Sequence, residues 1–279
     1  MKSYLTLFLS VILFTSCISD DETTCTPQTD EDIVEYIESK DLITTKTESG
    51  LYYTVNNEGT GETPTENSIV DVKYKTYFLD GTGNAESESI ALNLSTLIPG
   101  LSEGIQLFKE GGSGTLIIPS ELAFGESGNS TGSIPCGTVL VFEIEVLAVH
   151  DSYEAQNEVA ILKYIDDNDL DAIKTESGLY YVINTEGTGA QPTSASNVTV
   201  SYKGTFLNGE TFDESTVSGI DFNLSQVIAG WTEGITYFKE GGEGILLVPY
   251  TLGYGQYGSG AIPGYTPLAF DVKLISVNN

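Results

Sequence analysis

The sequence predicts an α+β chain of two tandem copies of one domain. Each copy is expected to be an antiparallel, half-wrapped β-sheet around a short helix, with an extra helix at its N-terminal end. Three observations predict this. First, TESGLYYTVNNEGTG from Thr47 returns as TESGLYYVINTEGTG from Thr175, which marks an internal repeat. Second, alternating apolar residues at Val70, Val72, Tyr74 and at Val198, Val200, Tyr202 have the period of half-buried strands. Third, VIAGWTEGITYFKEGGEGILLVP, Val227 to Pro249, joins a short helix to a buried strand. Trp231, Ile235 and Phe238 share one helix face, Gly241-Gly242 ends the helical stretch, and Ile245–Val248 is the strand. An earlier copy, LIPGLSEGIQLFKEGGSGTLIIP, presents Leu101, Ile105 and Phe108 in that pattern, without the tryptophan.

A length of 279 residues suits about two domains. Lys and Arg total 11 against 40 Asp and Glu, a formal charge of -29. That balance excludes nucleic acid, which needs a basic face, and disfavours direct adsorption to anionic lipid. The single histidine, His150, rules out metal sites built from several imidazoles. The acids lack the spacing of a calcium loop. No metal or cofactor is expected.

Residues 1–17 read as a secretion signal: Lys2, then the ten-residue apolar stretch LTLFLSVILF, too short to span a bilayer. Phe14-Thr15-Ser16-Cys17 resembles a bacterial lipobox, with Phe14 where leucine is usual. That resemblance implies lipidation of Cys17 and attachment to a membrane through the lipid anchor only. The acidic residues that follow resemble the export tag of surface lipoproteins in Bacteroidetes-type bacteria; a solvated tether has the same composition. The expected plan is a signal at 1–17, a tether at 18–28 and domains at 29–150 and 155–279, in the cell envelope. Cys25 and Cys136 fit either a disulfide or two free thiols.

Within the first domain, residues 29–46 are expected to hold a helix, capped by Thr29 or Asp30, with Ile33, Ile37 and Leu42 inward. The second copy of that helix is expected at Asn157–Asp166. First strands follow at Leu51–Val55 and Leu179–Ile183, then Glu-Gly-Thr-Gly turns. The closing strands alternate Leu140, Phe142, Ile144, Val146 and Leu268, Phe270, Val272, Leu274. Gly253–Gly258 matches G-x-G-x-x-G, but the next residues, Ser-Gly-Ala-Ile-Pro, cannot supply the helix a dinucleotide site requires. It reads as a pocket loop.

Three stretches of the second unit, VSYKGTFLNGETFDES, FNLSQVIAGWTEGI and LGYGQYGSGAIPGYTPLAFDV, resemble the FKBP family of peptidyl-prolyl cis-trans isomerases in family order. The resemblance covers both repeats. It implies Trp231 as the floor of a prolyl pocket. Its walls would be Tyr202, Phe212, Phe222, Val227, Ile228, Ile262 and Phe270, with Asp213 and the Tyr254 hydroxyl as polar groups. It further implies proline-containing polypeptide substrates and inhibition by a macrolide of the tacrolimus type. Unit one departs from the pattern. Leu101 stands for Trp231, Phe124 for Tyr254, and Asn84-Ala85 for Phe212-Asp213, while Tyr74, Leu97, Ile98, Ile134 and Phe142 remain. Unit one is expected to keep the fold with little or no isomerase activity. The competing expectation is a binding or chaperone module without catalysis.

Overall fold

The computed structural model describes residues 25–278; the signal, Cys17 and residues 18–24 of the tether lie outside it. Among the described residues no helix is long and apolar enough to cross a membrane.

Unit one begins with α1 (Asp30–Ser39). Thr29 Oγ1 accepts from the Asp32 N–H, and the Asp32 carboxylate takes the Thr29 N–H, a reciprocal cap. The helix ends at Ser39 instead of running to residue 46, and β1 (Thr45–Lys46) follows. Asp41 is the reason. It adopts φ +52°, and the Leu42 N–H turns back to the Ile37 carbonyl at 3.0 Å. That left-handed stop usually carries glycine. Next come β2 (Tyr52–Asn57), β3 (Ile69–Phe78), β4 (Ala85–Asn93), α2 (Pro99–Ile105), β5 (Ser113–Ile118) and β6 (Leu140–His150). They form one antiparallel sheet in the order β1-β2-β5-β6-β3-β4.

Unit two repeats the plan. Its first helix, α3 (Tyr153–Asp167), starts four residues before the expected Asn157, because Ser152 caps it by accepting from the Ala155 N–H at 3.2 Å. Asp169 repeats the left-handed stop at φ +51°. A residue with a Cβ in that conformation costs roughly 1–2 kcal/mol, Asp being among the better tolerated. Asp169→Gly is therefore expected to raise the melting temperature of unit two; a lower one would sink that account. The strands are β7 (Ile173–Lys174), β8 (Tyr180–Thr185), β9 (Asn197–Phe206), β10 (Thr211–Glu214), β11 (Ile220–Asn223), β12 (Glu243–Val248) and β13 (Leu268–Asn278). The helix α4 (Ala229–Gly234) passes into a tight 3-10 turn at Ile235–Tyr237. The sheet order is β10-β9-β13-β12-β8-β7, with β11 also on β9.

Each sheet is buried on both faces, which is why β5 and β12 read as continuous apolar runs. In unit two, Leu246 and Val248 face the concave core with Trp231, Ile235 and Phe238, while Leu247 faces α3 and packs with Ile161. Burying a side chain as large as Phe238 stabilises by roughly 1.5–3 kcal/mol. Glycines let α4 lie close to the sheet. A Cβ on Gly230 would stand 2.6 Å from Val248 Cγ1.

The two sheets differ at one edge. In unit one β4 is continuous; in unit two its counterpart breaks into β10 and β11. There the Ser215 N–H bonds the Tyr202 carbonyl at 3.0 Å and the Ser215 hydroxyl accepts from the Tyr202 N–H at 2.8 Å. Unit two carries two extra residues in this segment, so a constant offset between repeats fails beyond it. Register shows the shift: Val70 faces Leu92, and its counterpart Val198 faces Phe222.

Cys25 and Cys136 are joined in a disulfide, their Cα atoms 5.8 Å apart. The Gln28 N–H beside it bonds the Gly137 carbonyl at 2.9 Å. The bridge thus ties the lead-in of α1 to the long loop before β6. Unit two ties the same places without a covalent bond, by stacking Tyr153 on Tyr265 at 3.6 Å and 13°.

Candidate functional site

Residues from five places converge on the concave face of the second sheet. β9 supplies Tyr202, β10 supplies Phe212 and Asp213, β11 supplies Phe222, the turn into α4 supplies Gln226, Val227, Ile228 and Trp231, and β13 supplies Phe270. Together with Tyr254 they line a cavity of about 330 Å³. Nine of the ten pocket residues named from sequence are there. The tenth, Ile262, is 9% exposed and packs in the same core cluster, outside the cavity lining.

Trp231 closes the bottom. It is 4% exposed and is met edge-on by three rings. Tyr202 lies 5.1 Å away at 88°, Phe222 5.3 Å at 74° and Phe270 5.4 Å at 80°. Such contacts are worth about 0.5–1.5 kcal/mol each beyond area burial, and Trp231 still lines the cavity. Its Nε1–H is buried without an acceptor among the described residues. Phe212 stands edge-on to Phe270 at 5.6 Å. Gly204 permits this, since a Cβ there would be 2.6 Å from Phe212 Cζ and 3.0 Å from Phe270 Cε1. In unit one Thr76 faces Ala85 in register, as Gly204 faces Asp213, and Asn84 replaces the Phe212 ring. The threonine is accommodated because the ring is gone.

The polar groups sit at the rim. The Tyr202 hydroxyl donates to Asp213 Oδ2 at 2.6 Å. Burial, then the hydrogen bond to Asp213 and the charge of that residue, pushes the Tyr202 phenol well above its ordinary value. Burial, then Asp213, also raises Tyr254. The Tyr254 hydroxyl and the Ile228 N–H make no hydrogen bond to any described residue. The site therefore presents an anionic acceptor held by a tyrosine, plus two free donors. A phenol raised in the folded state keeps its contribution fully below the free value of 10.0 and loses it as pH climbs from there through the higher folded value. Unit-two stability and any activity needing the Tyr254 proton are expected to stay level from about pH 7 to 10. A decline centred below pH 10 in the pH profile would contradict that.

Gly204 and Gln226 escaped the sequence reading. A glycine in the middle of an alternating strand is a signal of close approach; Gln226 carries none beyond its place next to Val227. In unit one the matching positions also cluster: Leu101 packs with Tyr74, Leu92, Leu97, Ile98, Ile134 and Phe142. Phe124 is 36% exposed and Tyr254 37%, so these differ chiefly by one hydroxyl. A hollow of about 440 Å³ beside α1 is lined by Tyr36, Lys40, Lys75, Tyr77, Asp80 and Glu143 among others, and does not include Leu101, Tyr74, Phe124 or Phe142.

The family described as FKBP-type peptidyl-prolyl cis-trans isomerase matches the chain twice, over residues 60–147 and 189–275. A probable FKBP-type peptidyl-prolyl cis-trans isomerase FkpA from Neisseria meningitidis is 46% identical over 111 residues, covering 38% of this chain and 41% of the relative. FkpA of Escherichia coli is 43% identical over 108 residues, covering 38% of this chain and 40% of the relative. The chain thus spans about two-fifths of the length of the curated relatives it matches. The crystal structure of FkpA from Escherichia coli overlaps 45% of this chain and 61% of its own, at 35% identity and a TM-score of 0.41. With both repeats matched, the chain belongs to the FKBP-type peptidyl-prolyl cis-trans isomerase family and carries two of its domains in tandem.

Proposed function

We propose that unit two catalyses cis-trans isomerisation of X-Pro bonds in exported polypeptides, and that unit one keeps the fold without the activity. The observation that carries this is the Trp231 floor, ringed edge-on by Tyr202, Phe222 and Phe270, with Asp213 and Tyr254 at its rim.

The chemistry asks little of the protein. Rotation about an X-Pro amide faces a barrier of roughly 18–20 kcal/mol, because twisting breaks C–N resonance. The planar amide is more dipolar than the twisted one, and water favours the dipolar form. A dry aromatic cavity therefore favours the twisted transition state relative to the ground state. The proline ring lies on Trp231, between Phe222, Val227 and Phe270. The free N–H of Ile228 and the Tyr254 hydroxyl hold carbonyls of the peptide while the amide turns. Asp213 fixes the Tyr202 hydroxyl and faces the positive end of the amide dipole. No bond is made or broken, so no nucleophile is needed.

On this reading the protein sits in the cell envelope, lipid-anchored at Cys17, which becomes the first residue once residues 1–16 are cleaved away. Unit one supports a second reading, a binding module without catalysis, since it packs a core around Leu101 at the matching place and carries the exposed Phe124 and Ala85 where unit two has Tyr254 and Asp213. The lone tryptophan separates the two readings. Adding a macrolide of the tacrolimus type to the full chain should change Trp231 fluorescence to saturation and inhibit turnover of a short X-Pro peptide. A folded protein with neither response would overturn the isomerase and leave the binding module.

A further inference from the structure

Among the described residues, the most deeply buried polar residue outside the cavity is Asn157, 1% exposed, on α3. Its Oδ1 accepts from the Tyr250 N–H at 3.0 Å, and its Nδ2 donates to the Tyr265 carbonyl at 2.9 Å. Tyr250 and Tyr265 flank the segment that presents Tyr254. Two neighbours on α3 grip the same points. The Tyr153 ring stacks on Tyr265, and the Glu154 carboxylate accepts from the Tyr250 hydroxyl. Tyr265 holds φ +60°, a left-handed backbone rare for an aromatic residue, so its surroundings must impose it. From there its N–H bonds the Gly255 carbonyl at 3.0 Å, one residue from Tyr254.

The opposite side of α3 is held by unit one. Gln156 Nε2 donates to Asp71 Oδ1 at 2.8 Å, and Asp71 Oδ2 lies 3.0 Å from Nε2 of the buried His150. A chain of named contacts therefore runs from the β3–β6 pair of unit one, through α3, to both ends of the Tyr254 segment.

We propose that Asn157 is a positioning residue of the unit-two site: it clamps both ends of the Tyr254 segment to α3, and unit one steadies α3 through Gln156 and Asp71. The catalytic part rests on unit two being the isomerase. It assigns a task to the unit that lacks the aromatic floor. In unit one the Cys25–Cys136 bond takes the place of the Tyr153–Tyr265 stack.

The test uses the full chain. Asn157→Ala leaves the Tyr250 N–H and the Tyr265 carbonyl unpaired, so backbone amides across 250–265 should exchange with solvent about tenfold faster or more. Displacing Tyr254 should cut kcat/KM for an X-Pro peptide by about tenfold. In combination with Tyr254→Phe the loss should be smaller than the product of the single losses, because one displaced hydroxyl is removed twice. A merely structural asparagine would give losses that multiply. Asn157→Ser keeps a hydroxyl for one partner and serves if Asn157→Ala does not fold; Gln156→Ala should give a weaker form of the same effects. Unchanged exchange in the asparagine variants, or multiplying losses, would overturn the proposal. If the wild-type chain shows no turnover, the isomerase reading fails instead, and exchange across 250–265 alone decides the clamp.

Discussion

Replacing Trp231, Asp213 and Tyr254 together by Leu, Ala and Phe is expected to lower kcat/KM for an X-Pro peptide by about two orders of magnitude or more. These are the residues unit one carries at the matching places. Each removes something different. Leu removes the flat floor and its three edge-on partners, Tyr202, Phe222 and Phe270. Ala removes the acceptor that holds the Tyr202 hydroxyl at 2.6 Å. Phe removes the free hydroxyl at the rim and nothing else. Singly, Asp213→Ala should cost more than Tyr254→Phe, because it deletes a charge and also releases a neighbouring side chain. The rim changes should leave the melting temperature close to that of the wild type, since both residues are exposed. Trp231→Leu should lower it, as lost edge-on contacts are worth about 0.5–1.5 kcal/mol each. Turnover of the folded triple variant within about twofold of the wild type would mean the rate comes from elsewhere.

Reduction of the Cys25–Cys136 bond is expected to destabilise unit one by about 2–5 kcal/mol and unit two very little. The bridge closes a sequence separation of 111 residues, so the unfolded chain regains much freedom when it opens. It also anchors a strand-free lead-in. With the bridge cut, the hydrogen bonds that join that lead-in to the loop among the described residues are those of Gln28 with Gly137 and Val139, at 2.9 and 2.7 Å. Unit two has the Tyr153–Tyr265 stack at the corresponding place and no thiol to reduce. Trp231 reports unit two alone, so its fluorescence melt separates the units. Calorimetry of Cys136→Ser should show a lowered transition that the tryptophan does not follow. A melt unchanged by the substitution, or a Trp231 transition that falls equally, would sink this account.

Much of the architecture was legible because it rests on period and punctuation. Alternation at Val198, Val200 and Tyr202 marked β9, and the continuous run at Ile245–Val248 marked a strand buried on both faces. Helix ends were less legible. Asp41 and Asp169 stop their helices in a backbone conformation that sequence assigns to glycine, and Ser152 starts α3 earlier than its apolar pattern does. The site was readable only as far as the family likeness carried it. Trp231, Tyr254 and Asp213 stand at ordinary strand, helix and loop positions, and nothing in their local sequence states that they meet. Gly204 and Gln226 passed unnoticed for the same reason.

The sequence by itself determined the repeat, the alternating strands, the single short helix crossing each sheet, and the loss of indole, carboxylate and hydroxyl from unit one. These follow from residue type and spacing, which the chain carries locally. Only the tertiary structure decided the bond between Cys25 and Cys136, the equivalence of Leu92 to Phe222 through their partners Val70 and Val198, and the clamp of Asn157 on Tyr250 and Tyr265. Each joins residues far apart along the chain, or depends on a register that two extra residues had shifted. Such contacts exist only after the sheets have packed, because packing alone sets which distant atoms come within bonding distance.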